Sequence, residues 1–354
     1  MGDNAVEDGA IEDIDAPPSD AHVDTPPNST CFGSGFLIEC YQGTNLPTNT
    51  DTLSSGQIDT SNAQNCTRVV PQTNGPELCL RTAATISISG YVRFKGSRPL
   101  VLLATSTINV TATGTLDVSS FRADVGAGGN TGTCANVGGG GSDTSPSANA
   151  GAGGGGGGGF GTPGGAGGTS GGSGGTGGAT TALTQIRGGC RGGKGGSSND
   201  GTGGDGGNGG GAAYLIAGTS IMIGGTVRAN GSGGNGGPNK AGGGGGGSGG
   251  LVGFDSPSVA ITGTVYANGG GGGEGGGGGQ SGANGSDPST YNQRANGGNN
   301  VNNGGDGGGG SVFANAGSTG GTANNGAGGG GGGAGRIKVF QTTAPVGKLS
   351  PPAN

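Results

Sequence analysis

Short runs of alternating apolar and polar residues recur along the chain, always in one order. Two apolar residues stand either side of one variable residue, as Ile-x-Ile, then comes Gly-x-Val or a close variant, then a polar corner. The first run is Ile86, Ile88, Gly90, Val92; the second is Ile108, Val110, Gly114, Leu116, with two extra residues at the corner. The pattern returns as Ile221, Ile223, Gly225, Val227 and as Val259, Ile261, Gly263, Val265. Lead-in triplets stand at Leu100–Leu102, Tyr214–Ile216 and Leu251–Gly253, and Arg336–Phe340 fits the lead-in alone.

A period of two marks short strands with one buried face. β-branched residues dominate, as a pleated surface prefers. Glycine between the strands permits a tight bend, and the corner Ala-Asn-Gly at Ala229–Gly231 and Ala267–Gly269 suits a left-handed turn. Each unit spans about 20 residues, and its strands are too short to stand alone. The expected fold is therefore all-β: a short parallel β-helix or solenoid, with equivalent Ile and Val stacked in ladders. A flat antiparallel meander or sandwich with long loops is the competing arrangement.

Glycine-rich insertions separate the units, over about 122–211, 232–250 and 270–334. Gly153–Gly159, Gly242–Gly247 and Gly328–Gly333 contain glycine only. Elsewhere a triplet emerges, as in Gly164–Gly175 and Gly203–Gly211. A flexible linker is one reading. Polyglycine II, with three residues per turn, is the other: rods without Cβ atoms pack at backbone distance. Ordering glycine loses much conformational entropy, so only a near-complete hydrogen-bond network could hold such rods. The insertions begin and end on strands and carry Asn and Asp rather than long solvating side chains, which favours packed rods.

Composition sharpens this picture. Glycine accounts for 101 of 354 residues and apolar residues for 28 %. A globular enzyme would carry about 45–50 % apolar residues, so one large side-chain core is excluded. Collagen is excluded too: proline is 16 of 354 and the glycine period is broken. The net charge of −6 is uneven: the first 67 residues hold eleven acidic residues and no Lys or Arg. Residues 1–30, with Pro17–Pro18 and Pro26–Pro27, read as a disordered acidic tether. Residues 31–80 form a disulfide-bonded cap, 81–341 the solenoid with its insertions, and 342–354 a C-terminal tail. The small, scattered basic excess of the body does not fit nucleic acid.

The six cysteines are Cys31, Cys40, Cys66, Cys79, Cys134 and Cys190. None forms a C-x-x-C pair and the one histidine, His22, lies in the tether, so zinc spacing is absent. Three disulfides in an oxidising compartment fit this count. Fifteen connectivities are open; pairing of sequence neighbours gives Cys31–Cys40, Cys66–Cys79 and Cys134–Cys190. No apolar stretch is long enough to span a membrane. A secretion signal is expected ahead of Met1.

Several segments carry a family resemblance: Gly2-Asp3-Asn4 with Asp13–Pro27, Ser97–Thr105, the Ala-Asn-Gly corners and Gly333–Ile337. With them the chain resembles the glycine-rich secreted proteins and lipoproteins abundant in myxobacteria and related bacteria. That resemblance implies a lipid anchor on a cysteine preceding the tether. The glycine packing is similar to that of the polyglycine II bundles of phage tail-fibre tip adhesins and springtail antifreeze proteins.

Candidate chemistry is sparse. The body has no histidine, and its carboxylates are scattered, with no D-x-D or E-x-x-E group. Arg228 and Tyr266 fall at matching corners of adjacent units, a thin site that reads better as a solvated face. Gly188–Gly195 lacks the Lys-Ser/Thr ending of a phosphate loop, and Asp205 alone makes a weak calcium repeat. No enzyme activity, catalytic residue, metal or cofactor is expected. The expected function is an extracellular or outer-membrane-surface structural protein, matrix-forming or adhesive, with self-association or cell-surface components as partners. An adhesin reading glycans at the excursion tips is the alternative. Ice binding by Thr- and Asn-bearing rods is the third reading.

Overall fold

A computed structural model describes residues 28–131, 134, 138, 140–143, 151–300, 303–313, 315, 317–340 and 347–353. Most of the expected tether, residues 1–27, lies outside them. Near the N-terminus, β1 (Ser29–Phe32) and β2 (Glu39–Gln42) pair antiparallel, with Cys31 opposite Cys40. Then come β3 (Thr50–Leu53), β4 (Gly56–Asp59), β5 (Arg68–Val70), β6 (Leu78–Ile88), β7 (Tyr91–Lys95), β8 (Leu100–Val110) and β9 (Thr115–Asp117). After the first glycine-rich segment come β10 (Ala212–Ala217), β11 (Ser220–Ile223) and β12 (Thr226–Arg228). After the second come β13 (Leu251–Asp255), β14 (Val259–Ile261) and β15 (Thr264–Tyr266), and after the third β16 (Arg336–Val339) and β17 (Lys348–Ser350).

Two sheets result. In the larger, β8 lies beside β6 on one flank and beside β10 and β11, end to end, on the other. β13 and β14 pair outside β10 and β11, and β16 pairs outside β13. At the other edge β3 extends β6 in parallel, and β5 pairs with it antiparallel. The second sheet has the order β4-β7-β9-β12-β15-β17, all parallel. β6 runs through position 80, and β3 and β4 extend the two sheets, so residues 50–59 are integral to them. β17 likewise places residues 348–350 of the expected tail in the second sheet.

The apolar positions of the repeat stand in register. Ile86, Ile108, Ile221 and Val259 form one ladder, and Val92, Leu116, Val227, Val265 and Leu349 another. The two ladders belong to one core between the sheets. Burial of each such side chain contributes about 1.5–3 kcal/mol. A second apolar cluster, including Leu78, Val101, Tyr214 and Leu251, covers the outer face of the first half of the larger sheet. β10 is buried along its whole length, as a parallel strand covered on both faces must be.

This architecture corrects the expected fold class. The strands form flat parallel sheets, not a short β-helix or solenoid interrupted by insertions. The repeat determines which residues pair in a parallel ladder, and that ladder fits either arrangement. β6 and β8 each continue as one strand of eleven residues, with a register shift between Ala83 and Thr85. The antiparallel pairings of β5 and of β1 with β2 also have no place in a coiled repeat.

The glycine-rich segments lie outside the strands and bond to one another in a three-residue rhythm. In 153–158, Gly154 and Gly157 donate to Gly168 and Gly165 O, while Gly155 and Gly158 donate to Gly243 and Gly246 O. The carbonyls of Gly153 and Gly156 accept from Gly196 and Gly193, those of Gly154 and Gly157 from Gly175 and Gly178, and those of Gly155 and Gly158 from Gly330 and Gly333. Successive residues therefore address different neighbours. A Cβ on Gly156 would lie 1.9 Å from Thr176 O, and one on Gly245 2.0 Å from Gly156 O.

Gly156→Ala and Gly245→Ala should each lower stability by at least about 1–3 kcal/mol, read from urea-denaturation midpoints. Gly140→Ala, whose Cβ would meet only Lys194 O at 3.5 Å, should stay within about 0.5 kcal/mol. Amide hydrogen exchange of 153–158 should be slow, close to that of β8.

Candidate functional site

The second half of the larger sheet presents one uncovered face. Alternation sends Ile86, Ile88, Ile108, Val110, Ile221 and Ile223 into the core, where all are buried. The intervening residues face outward. Strand register aligns them into two rows: Thr50, Thr85, Thr107, Ser220, and Thr52, Ser87, Asn109, Met222, Ala260. The Thr85 hydroxyl donates to Thr50 Oγ1 at 3.0 Å. Met222 is 44 % exposed. Neither row contains a charged or aromatic residue. Asp51, next to Thr50, pairs with Arg81 at 2.7 Å. Such a face offers hydroxyls, methyls and one amide at fixed spacing and no group for acid–base chemistry.

The outward face of the second sheet differs. Its row Thr115, Thr226, Thr264 adjoins Arg93, Asp117, Arg228 and Tyr266. The fully buried Asp117 carboxylate accepts from Tyr91 Oη at 2.7 Å, from Arg228 at 2.9 Å and from Ser119 N–H at 2.9 Å. Arg228 Nη1 reaches Tyr266 Oη at 3.5 Å. Arg228 and Tyr266, adjacent in the sequence reading, are thus neighbours tied into an ion-paired network.

Asp255, at the end of β13, holds the N-terminal hairpin. It accepts from Ser34 N–H and Gly35 N–H at 2.7 and 2.8 Å, from the Ser34 hydroxyl at 2.8 Å and from the Tyr214 hydroxyl at 2.7 Å. A cleft of about 560 Å³ opens beside it, walled by Phe32, Pro257 and Phe340. Among the glycine segments lies a polar recess of about 630 Å³, lined by Asn284, Ser286, Arg294, Asn296, Asn299 and Asp306.

The six cysteines form Cys31–Cys40, Cys66–Cys79 and Cys134–Cys190. The last bridges the first glycine-rich segment, with the Arg187 guanidinium 2.7 Å from Cys134 Sγ and 3.1 Å from Cys190 Sγ. Burial pushes Arg187 below the ordinary arginine range. Lys194 and Asp205, from the glycine stretches searched for phosphate and calcium motifs, pair with each other at 3.7 Å. Among the described residues, no three His, Cys, Asp or Glu are placed to hold a metal ion.

The apolar members of each repeat announce the strands; their polar partners carry a second signal. The signal was present: a Thr or Ser precedes each apolar pair, as Thr85, Thr107, Ser220 and Ser258. Asp255 gave none, because Ser34 is 221 residues away.

Burial, and then the Asp255 charge, raise the Tyr214 phenol above the ordinary tyrosine range. Its stabilising contribution is therefore complete below about pH 10 and is lost as pH rises towards the folded-state value. In an alkaline absorbance titration, one of the five tyrosines should ionise only as the chain unfolds. Asp255→Ala, which leaves four donors without their acceptor, should remove at least about 2 kcal/mol and expose the Cys31–Cys40 hairpin to protease.

Comparison with known proteins gives no match: no protein-family model, no curated protein and no solved structure matches this chain.

Proposed function

We propose that the protein is a non-catalytic structural protein of the extracellular space or cell surface, and that it attaches to a surface through the uncharged face of its larger sheet. The observation that carries this reading is the pair of in-register rows of small hydroxyl and methyl groups, backed by a buried core. Three disulfides support an oxidising compartment. No helix among the described residues is long and apolar enough to cross a membrane. The resemblance to glycine-rich surface lipoproteins agrees with this address, and cell-surface or matrix components are the partners it implies. A second reading, glycan binding, is favoured by the recess around Arg294 and Asp306, where amides, a guanidinium and a carboxylate converge.

Adsorption isotherms on uncharged polysaccharide beads and on bacterial envelopes test the first reading. Ser87→Lys with Asn109→Lys places charge on the face and should weaken adsorption by about tenfold or more, with the denaturation midpoint retained. Adsorption equal to that of the unaltered protein would remove the face from this role. Arg294→Ala should leave these isotherms unchanged; a loss there shifts the function to the recess.

A further inference from the structure

We infer that the surface bound by this face is ice. The inference rests on the face being a contact surface and adds the identity of what it contacts. The geometry is that of a lattice. In-register parallel strands set equivalent side chains about 4.7–4.9 Å apart. Oxygens joined by tetrahedral hydrogen bonds of about 2.8 Å place second neighbours roughly 4.6 Å apart. The row Thr50, Thr85, Thr107, Ser220 therefore repeats at nearly the spacing of oxygens in solid water. The companion row, two residues along each strand, continues the array across five strands, roughly 19 Å by the same spacing.

The chemistry of the face selects among planar ligands. Tight hold on a sugar surface uses aromatic platforms and charged or amide donors; the two rows carry no aromatic or charged residue and a single amide, so they would hold such a surface only weakly. Charged side chains would keep liquid water in place of a lattice. Threonine instead offers a hydroxyl that can enter the lattice beside a methyl that releases water.

The array is also rigid enough for a ligand that cannot adapt. β-branched side chains are stiff at χ1. Their strands are fixed from behind by Ile86, Ile108 and Ile221, all buried, and Cys66–Cys79 ties β6 to the preceding segment. A preorganised surface loses little entropy on binding, and many weak contacts made together hold where one would not. The second sheet carries a shorter row, Thr115, Thr226 and Thr264, set among ion pairs. It shares the spacing and lacks the uncharged surround, which makes it the internal control. The rods that the sequence reading singled out for this role play no part in the proposal.

The test grows polycrystalline ice slowly from a solution of the full chain and measures its partition, with thermal hysteresis by nanolitre osmometry alongside. The intact protein should concentrate in the ice and depress the freezing point below the melting point. Thr107→Lys and Asn109→Lys should each abolish both effects while retaining the native circular-dichroism spectrum; Thr226→Lys should abolish neither. Exclusion of the intact protein from the ice overturns the inference. Polysaccharide adsorption by the same preparation would then leave the contact-surface reading standing, and its loss as well would remove both. Ice binding that survives Thr107→Lys and Asn109→Lys also overturns the assignment to this face.

Discussion

The structure depends on hydrogen bonds between backbones that have no side chains to keep them apart. Gly153–Gly159 lies at the centre of this network. Its successive amides and carbonyls bond to segments around 165–168, 175–178, 193–196, 243–246 and 328–333. Each bond is worth only about 0.5–1.5 kcal/mol net. Their density replaces the apolar core that a composition of 28 % hydrophobic residues cannot supply. Most of these positions admit no Cβ: Gly154, Gly157 and Gly245 would each place one within 2.0 Å of a carbonyl oxygen. The glycine content is therefore a packing requirement, held position by position.

The network also explains how parallel sheets form without helices. Parallel neighbours need a crossover of a dozen residues or more, which in most proteins is a helix. Here glycine-rich segments carry the chain from β9 to β10, from β12 to β13 and from β15 to β16. Each brings it from the second sheet back to the larger one, in register beside that sheet's earlier strand: β10 beside β8, β13 beside β10 and β16 beside β13. Because the crossovers bond to one another, the spacing of the sheets is shared with the spacing of the rods. Cys134–Cys190 closes the longest excursion, and Asp255, at the end of β13, ties the hairpin of β1 and β2 to Tyr214 of β10.

The legible part of the fold was the part encoded by short-range period. Ile86, Ile108, Ile221 and Val259 announce a parallel ladder, and they form one. Whether that ladder closes into a coil depends on corners and on distant pairings, and these leave no local mark. That β6 and β8 each run on as one strand of eleven residues, through Ile88 and Val110, decided it. The uncovered face was hidden for a related reason. Thr85, Ser87, Thr107 and Asn109 read as the polar half of an ordinary amphipathic strand, and only register shows them as rows. Asp117 and Asp255 looked scattered because their partners lie far away in the chain, Arg228 by 111 residues and Ser34 by 221.

The edges of the two sheets bear on how the molecule makes contact. An open parallel edge would template further strands. β3 is four residues long and carries Asp51 beside Arg81. β17, at the end of the second sheet, is three residues long and is followed by Pro351 and Pro352, which have no amide hydrogen to donate. Beside β16, Ile337 already bridges Ala353. Short length, charge and proline at these strands all oppose strand addition. The uncovered face has no such guard: its rows are uncharged and unbroken from β3 to β11, and small apart from Met222. Contact through the face rather than through the edges is what this distribution of residues favours. Growth by edge-to-edge stacking would have to displace the proline segment and the Asp51 ion pair first.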